Sequence, residues 1–182
     1  HVRHEVDPEL SIELEHYLPE GYIDDVGLRL SLYRRFATAA DEGAVDELAS
    51  EVEERFGPPP TAARDFVRVM SLKPPLRELC ALGCEADRNK VTLHLREDTT
   101  LDPAKLLPLV ATPAAGWSLS PDMKLTRRYR EEETGDAVAD AVAAEEVGDL
   151  ERALARELQI AERVEVLGVG HRNVVGVPLD AN

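Results

Sequence analysis

Residues 57–60 read Gly-Pro-Pro-Pro and close a run in which Val45, Leu48, Val52 and Phe56 recur at helical spacing. Glycine takes the left-handed conformation that ends a helix, and the prolines behind it cannot continue one. This punctuation fixes an amphipathic helix over about 44–56, its apolar stripe turned inward and Glu51 and Glu54 on the opposite face. Further on the period changes. Val91, Leu93 and Leu95 alternate with Thr92, His94 and Arg96, the pattern of a half-buried strand. Helices first and strands later point to an α+β chain with a helical N-terminal half, a small and mainly antiparallel sheet, and a long C-terminal helix.

The other elements follow from similar signals. Residues 1–16 alternate loosely and suit a linker or an edge strand. A helix should start after Asp24 or Asp25, either of which can accept from its first N–H groups. Val26, Leu30, Tyr33 and Ala37 form one stripe along it, and Leu28, Leu32 and Phe36 another, so it should be sandwiched in a core. A third helix is expected after Thr61, capped by that hydroxyl. Pro74-Pro75 should end it or open a fresh turn, with Leu76, Leu79, Cys80 and Leu82 carrying the apolar stripe to Gly83. Asp102-Pro103 opens a short helix through Val110. Trp117–Leu119 and Met123–Leu125 read as two strands around a Pro121-Asp122 turn. A long helix spans about 134–160, and residues 161–182 suit either a strand pair or a loose tail.

The formal net charge of −15 is unevenly placed. Residues 1–23 hold six acids and one base, and residues 131–157 ten acids and two bases, while residues 24–130 nearly balance at 17 acids and 16 bases. Such surfaces repel phosphate backbones and attract basic protein faces, which argues against direct nucleic-acid binding. The basic residues Lys124, Arg127, Arg128 and Arg130 would split between the two faces of a strand, with Glu131–Glu133 beside them. No apolar run approaches the length of a membrane span and no secretory leader pattern is present, so a cytoplasmic setting is expected. Cys80 and Cys84, four apart near a helix end, read as small buried hydrophobes in a reducing compartment.

Motifs of chemistry are missing. The chain has no glycine-rich phosphate loop of the G-x-x-x-x-G-K-[ST] form, no nucleophile elbow and no His-Glu-x-x-His. His1, His4 and His16 sit in a leading segment that reads as solvated linker rather than metal site, and His94 and His171 have no evident partner. Glu51 and Glu54 lie one turn apart on the polar helix face. A hydrolytic pair would need one acid with a raised pKa in a pocket, which that face does not offer. Two acids at this spacing do match guanidinium forks, and a plain solvated face is the alternative. No catalytic, cofactor or metal residue is assigned.

Two blocks carry a resemblance: Leu18-Pro19-Glu20-x-Tyr22-Ile23-x-Asp25 with Arg29-Leu30-x-Leu32-Tyr33-x-Arg35, and Glu51-x-x-Glu54-Arg55-Phe56-Gly57-x-x-Pro60. Together they resemble the C-terminal (TRCF) domain of bacterial transcription-repair coupling factor (Mfd), over about Leu18 to Glu157. The resemblance implies a linker over 1–17 from a preceding motor domain, a regulatory domain over 18–160 and a tail over 161–182. It implies a non-catalytic module of an ATP-dependent DNA translocase that releases stalled RNA polymerase and recruits nucleotide excision repair. The parent would handle ATP and Mg²⁺ in its motor lobes and meet RNA polymerase, UvrA and DNA. The module would pack on a UvrB-like N-terminal domain and hold an autoinhibited state.

Within that family Glu51 and Glu54 fall at two acidic interface positions that face arginines of the UvrB-like domain. Glu54 stands where the family commonly has Asp, one methylene shorter. Arg29 and Arg55 would bind locally, to Asp25 or nearby helix ends. Pro74-Pro75 and the stretch after Ile160 depart from the family pattern. The absence of an initial Met fits a piece of a longer protein. The rival readings are a free-standing acidic adaptor for a basic protein partner and a small carboxylate hydrolase.

Overall fold

The computed structural model describes residues 7–87, 89–112 and 116–128. Its element order is β1 (Glu9–Ile12), α1 (Val26–Ala37), α2 (Glu42–Phe56), α3 (Thr61–Met70), α4 (Lys73–Glu78), β2 (Ala81–Ala86), β3 (Lys90–Leu95), α5 (Pro103–Ala111), β4 (Trp117–Leu119) and β5 (Lys124–Arg128). Helices pack with a five-stranded sheet of order β1-β2-β3-β5-β4, an α+β architecture. The expected helix over 134–160 and the segment 161–182 lie outside the described residues.

Three of the helices, α1, α2 and α5, begin where an aspartate side chain replaces a missing hydrogen bond. The Asp25 carboxylate accepts from Leu28 N–H at 2.7 Å and starts α1, as one of the two expected caps. Asp41 does the same for α2 through Ala44 N–H at 2.9 Å, and Asp102 for α5 through Ala104 N–H at 2.9 Å. Gly57, at φ 82°, ends α2 as the sequence requires. The expected cap on α3 is different. Pro60 precedes the helix and gives no side-chain bond, while Thr61 is already helical and its hydroxyl accepts from Arg64 Nη2 at 3.0 Å.

Two apolar clusters result. The helical one gathers Leu18, Ile23, Leu32, Phe36, Val45, Leu48, Val52, Ala63 and Phe66. Its centre is aromatic: Tyr33 and Phe36 stand edge-to-face on Phe66 at centroid distances of 5.0 and 5.3 Å. The other cluster joins Val69, Leu72, Leu76 and Leu79 to the inner sheet face and to Leu106 and Leu109 of α5. Helix α3 serves both, with Phe66 in one and Val69 in the other.

The sandwiched reading of α1 does not hold. Only Leu32 and Phe36 are buried, while Val26 is 57% and Leu30 52% exposed. The helix meets the core through Leu28, Leu32 and Phe36, with Tyr33 reaching Phe66 from the flank, while Val26 and Leu30 of the other stripe look outward.

The helical stripe expected to run to Gly83 is also corrected. Pro74 and Pro75 do open a fresh helix, α4, but Cys80 turns left-handed at φ 53° and the chain enters β2 at Ala81. Leucines at 76, 79 and 82 imitate helical spacing, yet pairing with strands on both sides decides the conformation. Cys80 and Cys84 therefore do not share a helix face; Cys84 is buried in β2 and Cys80 is half-buried.

β1 runs parallel to β2, with Glu9 beside Gly83, so residues 9–12 form the edge strand rather than free linker. The other three pairings are antiparallel. A Cβ on Gly83 would lie 2.5 Å from the Glu9 carbonyl oxygen, so only glycine admits β1 this closely. Lys73 Nζ binds Asp7 at 2.7 Å and holds the same segment from the α4 side.

Candidate functional site

Helix α2 turns Val45, Leu48 and Val52 inward, so Glu51 and Glu54 are set on its exposed outer face. Three contacts stiffen the end that bears them. The Tyr22 hydroxyl donates to the Gly57 carbonyl at 2.7 Å. The Tyr22 and Phe56 rings meet edge-to-face at 6.0 Å, and the Arg55 guanidinium lies 5.1 Å from the Phe56 centroid. Burial, helped by the Glu53 charge, pushes the Tyr22 phenol up, so it stays a hydrogen-bond donor.

Arg29 is likewise local. Its Nη1 donates to the Ile23 and Asp24 carbonyls at 2.6 and 3.0 Å, holding the start of α1. The acceptors are backbone oxygens rather than the Asp25 carboxylate, whose Oδ1 accepts the capping bond from Leu28 N–H.

The two glutamates differ in their surroundings. Arg35 of α1 grips Glu51 bidentately, Nη1 to Oε1 at 2.8 Å and Nη2 to Oε2 at 2.6 Å. Those hydrogen bonds, with the Arg35 and Arg55 charges, outweigh desolvation and hold the Glu51 carboxyl below the usual carboxylate range. The same bond holds the Arg35 guanidinium above its ordinary value. Glu54 is exposed and makes no hydrogen bond or ion pair with a described residue. Sequence reasoning missed Arg35. It is 16 residues from Glu51 and on another helix, beyond the reach of any local period.

The remaining candidates are accounted for individually. Lys124 pairs with Asp122 at 2.9 Å, Arg127 lies 5.7 Å from the Trp117 ring centroid, and Arg128 is exposed at the end of β5. Arg130 and Glu131–Glu133 lie outside the described residues, as do His1, His4 and His171. His16 Nδ1 sits 2.6 Å from the Leu14 carbonyl. His94 Nε2 is 3.1 Å from Glu85 Oε1, within ion-pair distance, although no hydrogen bond joins them. Burial, with a smaller contribution from the Glu85 charge, pushes the Cys84 thiol up to about 12, the state of an inert core thiol. Among the described residues no three His, Cys, Asp or Glu gather as a metal site, and no helix is long and apolar enough to cross a membrane.

Known proteins give this geometry its context. The chain resembles the transcription-repair-coupling factor of Myxococcus xanthus, at 29% identity over 138 residues, covering 75% of the chain and 12% of that protein. The Escherichia coli (strain K12) protein of the same name is 29% identical over 102 residues, 56% of the chain and 9% of its own length. That of Bacillus subtilis (strain 168) is 30% identical over 103 residues, again 9% of its length. The chain thus spans about a tenth of these relatives. A solved structure described as the C-terminal domain of transcription-repair coupling factor superposes with a TM-score of 0.62 at 18% identity, covering 92% of this chain and 97% of that one. It shares the fold. The sequence model of the family described as the TRCF domain matches residues 12–106, more than half of the chain, and the chain belongs to the TRCF domain family.

Proposed function

We propose that this chain is a non-catalytic regulatory module of a transcription-repair coupling factor. It docks through α2 on the UvrB-like N-terminal domain of the parent and holds the closed, autoinhibited state. The parent is read as an ATP-dependent DNA translocase with ATP and Mg²⁺ in its motor lobes. Through other domains it meets DNA, stalled RNA polymerase and UvrA; the module itself takes no cofactor and touches no nucleic acid.

The observation that carries this reading is the outward placement of Glu51 and Glu54, one turn apart on a helix pinned at both ends. Preset carboxylates match arginine forks without first ordering a loop. Autoinhibition is then differential binding: docking contacts exist in the closed state and are broken in the engaged one. A contact of that kind need change an affinity only about 5- to 150-fold to act as a gate.

Calorimetric titration of the UvrB-like N-terminal domain into the 182-residue chain tests this. The double change Glu51→Lys, Glu54→Lys should weaken binding by about tenfold or more, with the thermal transition little moved. Undiminished affinity in the charge-reversed chain would remove the proposed role.

A further inference from the structure

The proposed docking ridge is half occupied in the chain as it stands. Both Glu51 carboxylate oxygens already accept from one guanidinium, at 2.8 and 2.6 Å, in the fork-on-fork arrangement that a docking arginine would seek. Glu54, one turn on, has no such partner among the described residues. The occupying group comes from the chain itself, from Arg35 on α1.

We propose that Arg35 is an internal stand-in for the partner's arginine: it fills Glu51 in the undocked chain, and a basic surface engages Glu51 only by displacing it. This rests on the docking reading above and adds to it the means by which the contact is kept weak and reversible. The argument is one of exchange. A carboxylate offers one in-plane bidentate edge to a guanidinium, and Arg35 takes it, so a second fork cannot bind there in the same way. The side chains of Arg35 and Glu51 are 44% and 50% exposed, so the pair sits in water and opens easily. Trading Arg35 for another arginine leaves the number of hydrogen bonds on Glu51 unchanged. Glu51 then adds little net affinity, and Glu54, which gives up no partner among the described residues, contributes the larger share. Once displaced, Arg35 lies beside the new pair as an uncompensated positive charge that favours the partner's departure.

The neighbouring residue gives the control. Arg34 is exposed and its side chain pairs with no described residue, so Arg34→Gln removes the same charge from the same helix without touching Glu51. The experiment titrates the UvrB-like domain into four single variants of the 182-residue chain: Arg35→Gln, Arg34→Gln, Glu54→Lys and Glu51→Lys. If Arg35 competes, Arg35→Gln should tighten binding about two- to fivefold, clearly more than Arg34→Gln. Glu54→Lys should weaken it more than Glu51→Lys. The carboxyl resonance of Glu51, followed by NMR through acid titration of the free chain, should move up toward the ordinary carboxylate range in Arg35→Gln and stay in place in Arg34→Gln.

The outcomes separate. Weakening by both glutamate changes, with Arg35→Gln no tighter than Arg34→Gln, would overturn the stand-in role and leave docking intact. Binding indifferent to both glutamate changes would end the docking reading and this inference together. An unmoved Glu51 titration in Arg35→Gln would refute the contact itself, whatever the partner does.

Discussion

Cys80 holds its backbone at φ 53°, a region where a side chain crowds the carbonyl that follows it. The strain is tolerated because the turn is fixed from both sides: Cys80 N–H donates to the Arg77 carbonyl at 3.0 Å, and its own carbonyl accepts from Arg96 N–H at 3.2 Å. Glycine would relieve the crowding, and a β-branched residue would worsen it. Cys80→Gly should therefore be neutral or stabilising by up to about 1 kcal/mol, and Cys80→Val destabilising by about 1–2 kcal/mol, in urea unfolding. Equal losses for both would show that the thiol packing, not the backbone, is what the position needs. Nothing local announces this turn. Leu76, Leu79, Cys80 and Leu82 satisfy helical spacing, and only the strands beside β2 overrule them. The same limit hid the Arg35–Glu51 pair, whereas the outward setting of Glu51 and Glu54 was readable because it depends on the period of one helix alone.

Helices that carry their own punctuation were legible from sequence. α2 has Gly57 at its end and three prolines beyond, all within the segment; only its start was placed late, at about 44, where Asp41 caps a helix that begins at Glu42. The β4–β5 hairpin was similarly visible, since the Ser120 hydroxyl donating to Asp122 at 2.5 Å and the Lys124 pairing lie inside the turn itself. The parallel edge strand was legible only in part. The loose alternation of residues 1–16 allowed an edge strand, but β1 pairs with residues more than seventy positions away, and its partner Gly83 was assigned by periodicity to the end of a helix. The close approach of Glu9 makes that glycine testable. Gly83→Ala should lose the β1–β2 pairing by pushing the strands apart, with fast amide exchange over 9–12 and at the β2 amides that face β1, and a stability loss of about 1–3 kcal/mol. The ladder between β3 and β5 should keep its protection. Protected β1 amides in the alanine variant would mean that the backbone can shift to admit a Cβ.

At the scale of the whole molecule, the two apolar clusters must move together if α2 is to act as a fixed docking face relative to the sheet. Among the described residues, α3 and Arg77 both join them. α3 is continuous through both, with Met70 packed against each. Arg77 reaches from α4, beside the sheet, to the end of α1, donating Nη1 to the Ala39 carbonyl at 2.6 Å and Nη2 to the Ala37 carbonyl. A positive group there satisfies carbonyls left open at a helix C-terminus and complements its partial negative charge. Arg77→Met keeps most of the apolar stem and removes the donors, a loss of about 1.5–3 kcal/mol if both charged bonds are given up. The continuous α3 link has a further consequence. Unfolding should remain one transition, with Trp117 fluorescence reporting on the sheet cluster and far-ultraviolet circular dichroism reporting mostly on the helices, at midpoints that shift together. If circular dichroism instead melts ahead of Trp117 in Arg77→Met, then the guanidinium, not α3, is what makes the two clusters one cooperative body. The docking face would then be only as firmly held as that single side chain.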